Sequence, residues 1–215
     1  MRVIHDQADR SGKKVMYAFN ISDELDSMLQ RYEYVLKAGG TCAMISVNSV
    51  GLTGVKKICD QGELVIHGHR NGWGMLNRHP LLGIEFPAYQ KLWRLVGVDQ
   101  LHVNGIQNKF WESDDSVVRS IEACLTPLFR GETLLPVVSS GQWGGQAFET
   151  YGRTKTIDLL YMAGGGIMAH PDGPAGGVIA LQQAWEGAVN GLTLKEAANH
   201  YSEFSKSVQK FGINE

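Results

Sequence analysis

The chain has 215 residues, 43% hydrophobic and 20% charged, enough for one sizeable core and short for two, so a single globular domain over 1–215 is expected. A formal net charge of −2 without a long block of like charge argues against nucleic acid or an anionic membrane as partner and favours small molecules. Cys42, Cys59 and Cys124 are odd in number and lack CxxC spacing, which argues against a disulfide framework or structural zinc and suits a reducing cytosol with cysteines as core filler.

Met1 to Arg10 reads as the last turns of a helix ending near Ser11-Gly12, without the apolar region of a signal peptide. A strand is predicted at Val15 to Phe19. Ser22-Asp23-Glu24 caps a helix to about Lys37, with Leu25, Met28, Leu29, Tyr32, Val35 and Leu36 at helical spacing and Gly39-Gly40 as the stop. Thr41 to Val47 is a continuous apolar run, the pattern of a strand buried on both faces, and a short helix follows over Leu52 to Cys59. Leu64 to His67 is a strand, followed by a loop to about Arg78, a helix from roughly Pro87 to Leu95, and a strand from Gly97 to Val103. Asp114 to Leu128 reads as helix, Leu134 to Ser139 as strand, Gln146 to Thr154 as helix and Asp158 to Ala163 as strand. A glycine-rich turn at Gly164-Gly165-Gly166, a helix over Val178 to Val189 and an amphipathic helix from Leu194 to Phe211 complete the pattern.

Strands alternating with helices imply parallel pairing. About six β/α units are present, whereas an eight-unit barrel takes about 250 residues. The expected fold is therefore α/β, a partial (β/α)8 TIM barrel lacking its first units. No apolar run reaches membrane-spanning length, and the chain is expected to be cytoplasmic.

In such a barrel the chemistry lies at the C-terminal ends of the strands. Those ends carry His67-Gly68-His69-Arg70, then His102-Val103-Asn104 with Lys109, then Ser139-Ser140-Gly141, then Gly164-Gly165-Gly166. Imidazoles, a guanidinium, an ammonium and two glycine-bearing turns suit a phosphorylated substrate, with the Ser139 and Gly164 turns as the anion-holding pair. Arg70 is the candidate for bidentate phosphate binding, because its planar fork matches two oxygens. His67 is read as a hydrogen-bonded structural residue, and His170, before Pro171, as a shaper of its turn. Lys109 lies in the loop Asn104-Gly105-Ile106-Gln107-Asn108, and the five tryptophans are read as packing or pocket wall.

Taken in order, His69-Arg70, His102 with Lys109 seven residues on, Val138-Ser139-Ser140-Gly141, and Gly164-Gly165-Gly166 before His170-Pro171 resemble the C-terminal barrel of the RuBisCO large chain, from about Lys14 to Trp185. The run Ile66 to Met75 and Asn104-Gly105 are similar to the RuBisCO-like proteins that act on a phosphorylated branched-sugar acid in apiose catabolism. The resemblance implies that His69 sits near metal and substrate oxygens, that Arg70 and His102 hold one phosphate, and that Lys109 reaches in from a mobile loop. It also implies that Ser139, Gly141, Gly164 and Gly165 contact substrate or phosphate, and that Mg2+ stabilises an enediolate. Ser140 stands in place of a glycine of the carboxylases' Ser-Gly-Gly turn, Trp73 stands where they carry a further His, and the loop before Lys109 lacks their Thr-Val-Val-Gly pattern. CO2 fixation on ribulose bisphosphate is accordingly a poor fit.

The family's metal ligands, a lysine and an acidic pair in a Lys-Asp-Asp-Glu-like run, and its N-terminal α+β domain are not found in this sequence, so no metal ligand is assigned. The expected parent activity is decarboxylation, transcarboxylation or hydrolysis of a phosphorylated 3-oxo sugar acid. Alternatives are the enolase of methionine salvage, a true ribulose-bisphosphate carboxylase, and a catalytically silent fragment that binds phosphate. The chain alone is expected to be silent, with open sheet edges that favour homo-oligomers or association with a full-length homologue.

Overall fold

The computed structural model describes residues 1–129 and 131–212. They divide into two compact units, Met1–His102 with Thr126–Leu135, and Val103–Leu125 with Pro136–Glu215.

The first unit opens with α1 (Arg2–Ser11), which ends at Gly12 in the left-handed conformation, and continues to β1 (Ala18–Asn20). That strand starts three residues later than the apolar run suggested. Val15, Met16 and Tyr17 are about half exposed, so hydrophobicity there does not mark sheet. Helix α2 (Leu25–Lys37) buries Met28, Tyr32 and Val35, and its chain turns at Gly39, φ 75°. The expected Ser22 cap is used otherwise, since its hydroxyl accepts from Ser46 N–H at 2.7 Å. Strand β2 (Cys42–Ser46) is buried on both faces apart from Met44, as its unbroken apolar pattern required. Helix α3 (Val47–Cys59) contains a break at Gly51, φ 79° and ψ 164°, so a single turn at Val47 precedes the helix expected from Leu52.

Strand β3 (Val65–His69) leads to α4 (Trp73–Asn77), a five-residue helix inside the expected loop, then α5 (Phe86–Val96) and β4 (Gln100–His102). The pairs β1 with β2, β2 with β3 and β3 with β4 are all parallel. The Tyr32 hydroxyl accepts from both Glu63 and Leu64 N–H at 2.9 Å, fixing the entry to β3 against α2. Burial pushes the Cys42 thiol up to about 11 and the Cys59 thiol to about 12, so these cysteines are unreactive filler as expected.

The second unit carries α6 (Asp114–Leu125), β5 (Leu135–Val138, whose first residue closes the first unit), α7 (Gly145–Thr154) and β6 (Leu160–Tyr161). Strands β5 and β6 pair in parallel through Val137 with Leu160 and Val138 with Tyr161. The glycine-rich segment is the start of a short helix, α8 (Gly164–Met168), and not an irregular turn. None of its three glycines has a positive φ, so conformational freedom is not what selects glycine here. Next come α9 (Gly173–Val189), α10 (Leu194–His200) and α11 (Ser202–Phe211). The single terminal helix expected from Leu194 to Phe211 is broken at Tyr201, φ −114° and ψ 119°. Ala147, Ala184, Ala197 and Phe204 form one buried cluster in this unit. His170 shapes its turn as expected, with Nε2 3.0 Å from Glu203 O and Nδ1 accepting from Asp172 N–H at 3.0 Å.

The alternation of parallel strands with helices is the repeat of a (β/α)8 barrel, with six strands among the described residues. Among the described residues no helix is long and apolar enough to cross a membrane.

Candidate functional site

In the first unit the site grows from strand register. His67 lies opposite Gln100 and Gly68 opposite Leu101. Side chains alternate faces along a strand, so His67 and His69 share one face with Gln100 and His102. The other face has no room: a Cβ on Gly68 would lie 3.0 Å from Leu101 Cδ1 and Val98 Cγ1. Asp99 fixes the register at the strand base, its Oδ2 accepting from Ile66 N–H at 2.7 Å and its own N–H donating to Ile66 O at 3.1 Å.

The polar face is a cluster of rings. His67 Nδ1 lies 2.9 Å from Gln100 Oε1, and its Nε2 lies 2.9 Å from His102 Nε2. The His69 ring is 4.2 Å from that of His102, centroid to centroid. Burial holds all three imidazoles below the ordinary histidine value. His102 falls furthest, to about 2, through burial first and then the repulsion of His69, His67 and Arg70. At neutral pH the expected basic cluster is therefore three neutral rings beside one cation. His69 Nδ1 is buried without a hydrogen-bond partner, a polar atom turned toward no protein group.

Arg70 is that cation, only 6% exposed. Its Cζ lies 5.1 Å from the Trp73 ring centroid and 5.0 Å from that of Phe86, in range for cation–π attraction on two sides. Trp73 in turn packs against Tyr89 with ring centroids 4.5 Å apart and planes tilted by 51°, and the Tyr89 hydroxyl donates to Asn48 Oδ1 at 2.7 Å. Asn48 Nδ2 donates to Asn71 O at 2.9 Å, tying the turn before Gly51 to the segment after Arg70. The side-chain cage of Arg70 was not anticipated, although Phe86, Tyr89 and Trp93 recur at helical spacing and point one way from α5.

In the second unit Ser139, Ser140 and Gly141 follow β5. Ser140 has φ 75° and Gly141 φ 87°, two consecutive left-handed residues. Glycine adopts this freely, whereas a serine pays about 1–2 kcal/mol. Lys109 N–H donates to Ser140 O at 3.3 Å, and a Cβ on Gly141 would sit 3.7 Å from Lys109 Cβ, so the lysine stem lies over the glycine. A Cβ on Gly166 would come within 2.7 Å of Trp143 Cβ and within 3.0 Å of Gln142 O, which brings the start of α8 close to the same turn. Gly164 and Gly165 are exposed, with nothing within 4 Å of a Cβ at either position. Thus Lys109, Ser139, Gly141, Gly164 and Gly165 fall in one unit, and His69, Arg70 and His102 in the other.

The loop carrying Lys109 is hydrogen-bonded at several points along its length. Asn108 Nδ2 donates to Gly105 O and Glu112 O, both at 3.0 Å, while its Oδ1 accepts from Phe110 N–H at 2.8 Å. Gln142 Nε2 donates to the buried Ile106 O at 3.0 Å, and Tyr161 OH donates to Gln142 Oε1 at 3.1 Å. Asp114 Oδ1 accepts from Gln107 N–H at 2.7 Å, and Asn104 donates to Glu112.

Mg2+ takes oxygen ligands, chiefly carboxylates and water. Among the described residues no group of three His, Cys, Asp or Glu is placed to hold a metal ion, so these residues do not by themselves fit that ion.

Residues 1–211 match the model of the ribulose bisphosphate carboxylase large chain, catalytic domain. The chain is 51% identical over 211 residues to a 3-oxo-isoapionate-4-phosphate decarboxylase of Rhizobium etli, covering 97% of this chain and 51% of the relative. It is 51% identical over 200 residues to a 3-oxo-isoapionate-4-phosphate transcarboxylase/hydrolase of Xanthobacter autotrophicus, covering 92% of this chain and 48% of the relative. A crystal structure of a rubisco-like protein from Burkholderia fungorum superimposes with a TM-score of 0.93 at 44% identity, covering 97% of this chain and 52% of that one. The chain spans about half the length of the curated relatives it matches. By these matches the chain belongs to the ribulose bisphosphate carboxylase large chain family, on its RuBisCO-like side.

Proposed function

We propose that these residues serve an enzyme that cleaves the carboxyl group from a phosphorylated 3-oxo sugar acid, as a decarboxylase or a transcarboxylase/hydrolase. The observation that carries this reading is the caged Arg70 beside neutral His69 and His102 at adjacent strand ends. Loss of the carboxyl group from carbon next to a ketone leaves an electron pair that spreads onto the ketone oxygen as an enediolate, and a proton then returns to carbon. Arg70 supplies fixed positive charge to a phosphate or carboxylate, pre-aimed by its aromatic walls. His69, with its buried unpartnered Nδ1, is the neutral ring available to exchange a proton with substrate oxygen.

In the second unit Lys109 is held by its pinned loop as an ammonium for a developing oxyanion. Ser139, Gly141 and the open backbone at Gly164 and Gly165 form that unit's anion-contacting segment. Mg2+ belongs to the activity proposed for the whole protein, with oxygen ligands from outside the described residues. The second reading, favoured by the absence of a three-ligand cluster among the described residues, is that this chain alone binds the phosphorylated acid without turning it over. The setting is cytoplasmic, in keeping with three free cysteines, and self-association through exposed Ile157, Val178 and Val189 is part of the proposal.

The test is release of CO2 from 3-oxo-isoapionate 4-phosphate with Mg2+ present, for the 215-residue chain and for a full-length RuBisCO-like relative. Turnover by the relative, with binding alone by the chain, supports the second reading. Turnover by both supports the first. Neither binding nor turnover by the chain sinks both.

A further inference from the structure

Gln142 is buried, 2% exposed, and follows directly on the Ser139-Ser140-Gly141 turn of the second unit. Its side-chain amide is held at both ends by groups that fix its direction. Nε2 donates to Ile106 O at 3.0 Å, and a carbonyl can only accept, so the NH2 must face the loop that carries Lys109. Oε1 therefore faces the other way and accepts from the Tyr161 hydroxyl at 3.1 Å. Burial pushes the Tyr161 phenol above its ordinary value, so it keeps the proton it donates. Tyr161 ends β6, three residues before Gly164.

Two close approaches meet at the same residue. A Cβ on Gly105 would lie 2.3 Å from Gln142 Cδ and 2.4 Å from its Nε2, so glycine is what lets the loop backbone lie against the amide. A Cβ on Gly166 would lie 3.0 Å from Gln142 O, so the start of α8 rests on the backbone of the same residue. Gln146 Oε1 accepts from Trp143 N–H at 2.9 Å and holds the backbone that carries Gln142.

We propose that Gln142 is a positioning residue: it holds the Lys109 loop, the Ser139 to Gly141 turn and the Gly164 to Gly166 segment in one arrangement, so that the lysine and the backbone N–H groups meet a single anion together. The linkage follows from hydrogen-bond polarity and packing. That it serves an anion rests on the proposed function. Without the amide these groups would still be present, but each would have to be ordered when the anion binds, and affinity would fall by that cost.

The first measurement is hydrogen exchange of the 215-residue chain without ligand. Gln142→Leu removes both ends of the amide at similar volume, and exchange at Ile106 to Lys109 and at Ser140 and Gly141 should speed up about fivefold, with α9 unchanged. Unchanged exchange in the folded variant, or the same increase in every helix, gives Gln142 no positioning role. Should Gln142→Leu fail to fold, Tyr161→Phe decides: it frees only the Oε1 end and should give the same local pattern more weakly, and unchanged exchange there overturns the linkage. The second measurement is titration with inorganic phosphate. Gln142→Leu should bind about fivefold more weakly, and adding it to Lys109→Met should cost little more than Lys109→Met alone. Losses that multiply in full overturn action through Lys109. If exchange shows the local pattern and the wild-type chain binds no phosphate, the linkage stands and it is the proposed function that fails.

Discussion

The histidine cluster of the first unit and the glycine segment of the second handle charge in opposite ways. In the first, every candidate group is a side chain whose protonation or direction is imposed by burial: neutral His67 and His102 in contact with each other, and Arg70 walled by Trp73 and Phe86. In the second, the candidate groups at Gly164 and Gly165 are exposed backbone with empty space around them. The lesson is that damage should differ in kind. Changes in the first unit should move stability and protonation together with binding, and changes at the glycines should move binding alone.

The largest expected effect comes from pH. His67 and His102 have folded pKa values depressed below 6.5, so each ring is neutral in the folded state and takes up a proton on unfolding in acid. Their contribution to stability is fully present above about pH 6.5 and is lost as pH falls, by roughly 1.4 kcal/mol per pH unit for each ring that charges on unfolding. Urea unfolding at pH 7.5 and pH 5.0 should show a clear loss at the lower pH, reduced in His102→Asn. Equal stability at both would mean that these rings are not neutral and buried.

Next in size is Arg70→Lys. A point ammonium keeps the charge but cannot reproduce the fork, at a cost of about 2 kcal/mol, or roughly 30-fold. In a full-length relative this should appear as a raised KM with kcat little changed. Unchanged kinetics with the phosphorylated acid would take Arg70 out of the site.

Gly165→Val sharpens the contrast from the other side. With no atom beyond its own helix and chain neighbours within 4 Å of the added Cβ, stability should stay within ~0.5 kcal/mol, because surface substitutions rarely do more. Sulfate or phosphate-ester binding should nevertheless weaken about tenfold, near the value of one hydrogen bond to a charged group. A parallel loss of melting temperature and binding would make Gly165 a structural glycine.

The smallest effect is expected at Asn108. Asn108→Ala removes two donated bonds and one accepted bond that pin the Lys109 loop, worth ~1 kcal/mol net. Hydrogen exchange over Ile106 to Phe110 should speed up about fivefold. Unaltered exchange would show that the loop is held by Gln142 and Asp114 alone.

Much of this was legible in the sequence because it depends on local pattern. The unbroken apolar run at Cys42 to Ile45 is a strand buried on both faces, and the chain turns at Gly39 and Gly97 because left-handed residues follow the helices. The polar ends of β3 and β4 were visible as His67 to Arg70 and His102. What was hidden depends on tertiary partners. Trp73 lies in a five-residue helix with no side-chain cap to announce it, and its role as a wall for Arg70 exists only once α5 is in place. The break at Tyr201 interrupts an apolar period that continues across it, so α10 and α11 read as one helix. Asn108 and Gln100 are amides, with neither period nor motif to mark them, and their meaning comes from Glu112, Phe110 and His67.

The most direct test of the central claim, that each unit contributes its own anion-contacting groups, is calorimetric titration of the 215-residue chain with 3-oxo-isoapionate 4-phosphate. Wild type, Arg70→Lys and Gly165→Val would be compared at neutral pH. Measurable binding, weakened by each substitution, with Gly165→Val as stable as wild type, is the expected result. Binding equal in all three, or none in the folded wild-type chain, would contradict the account.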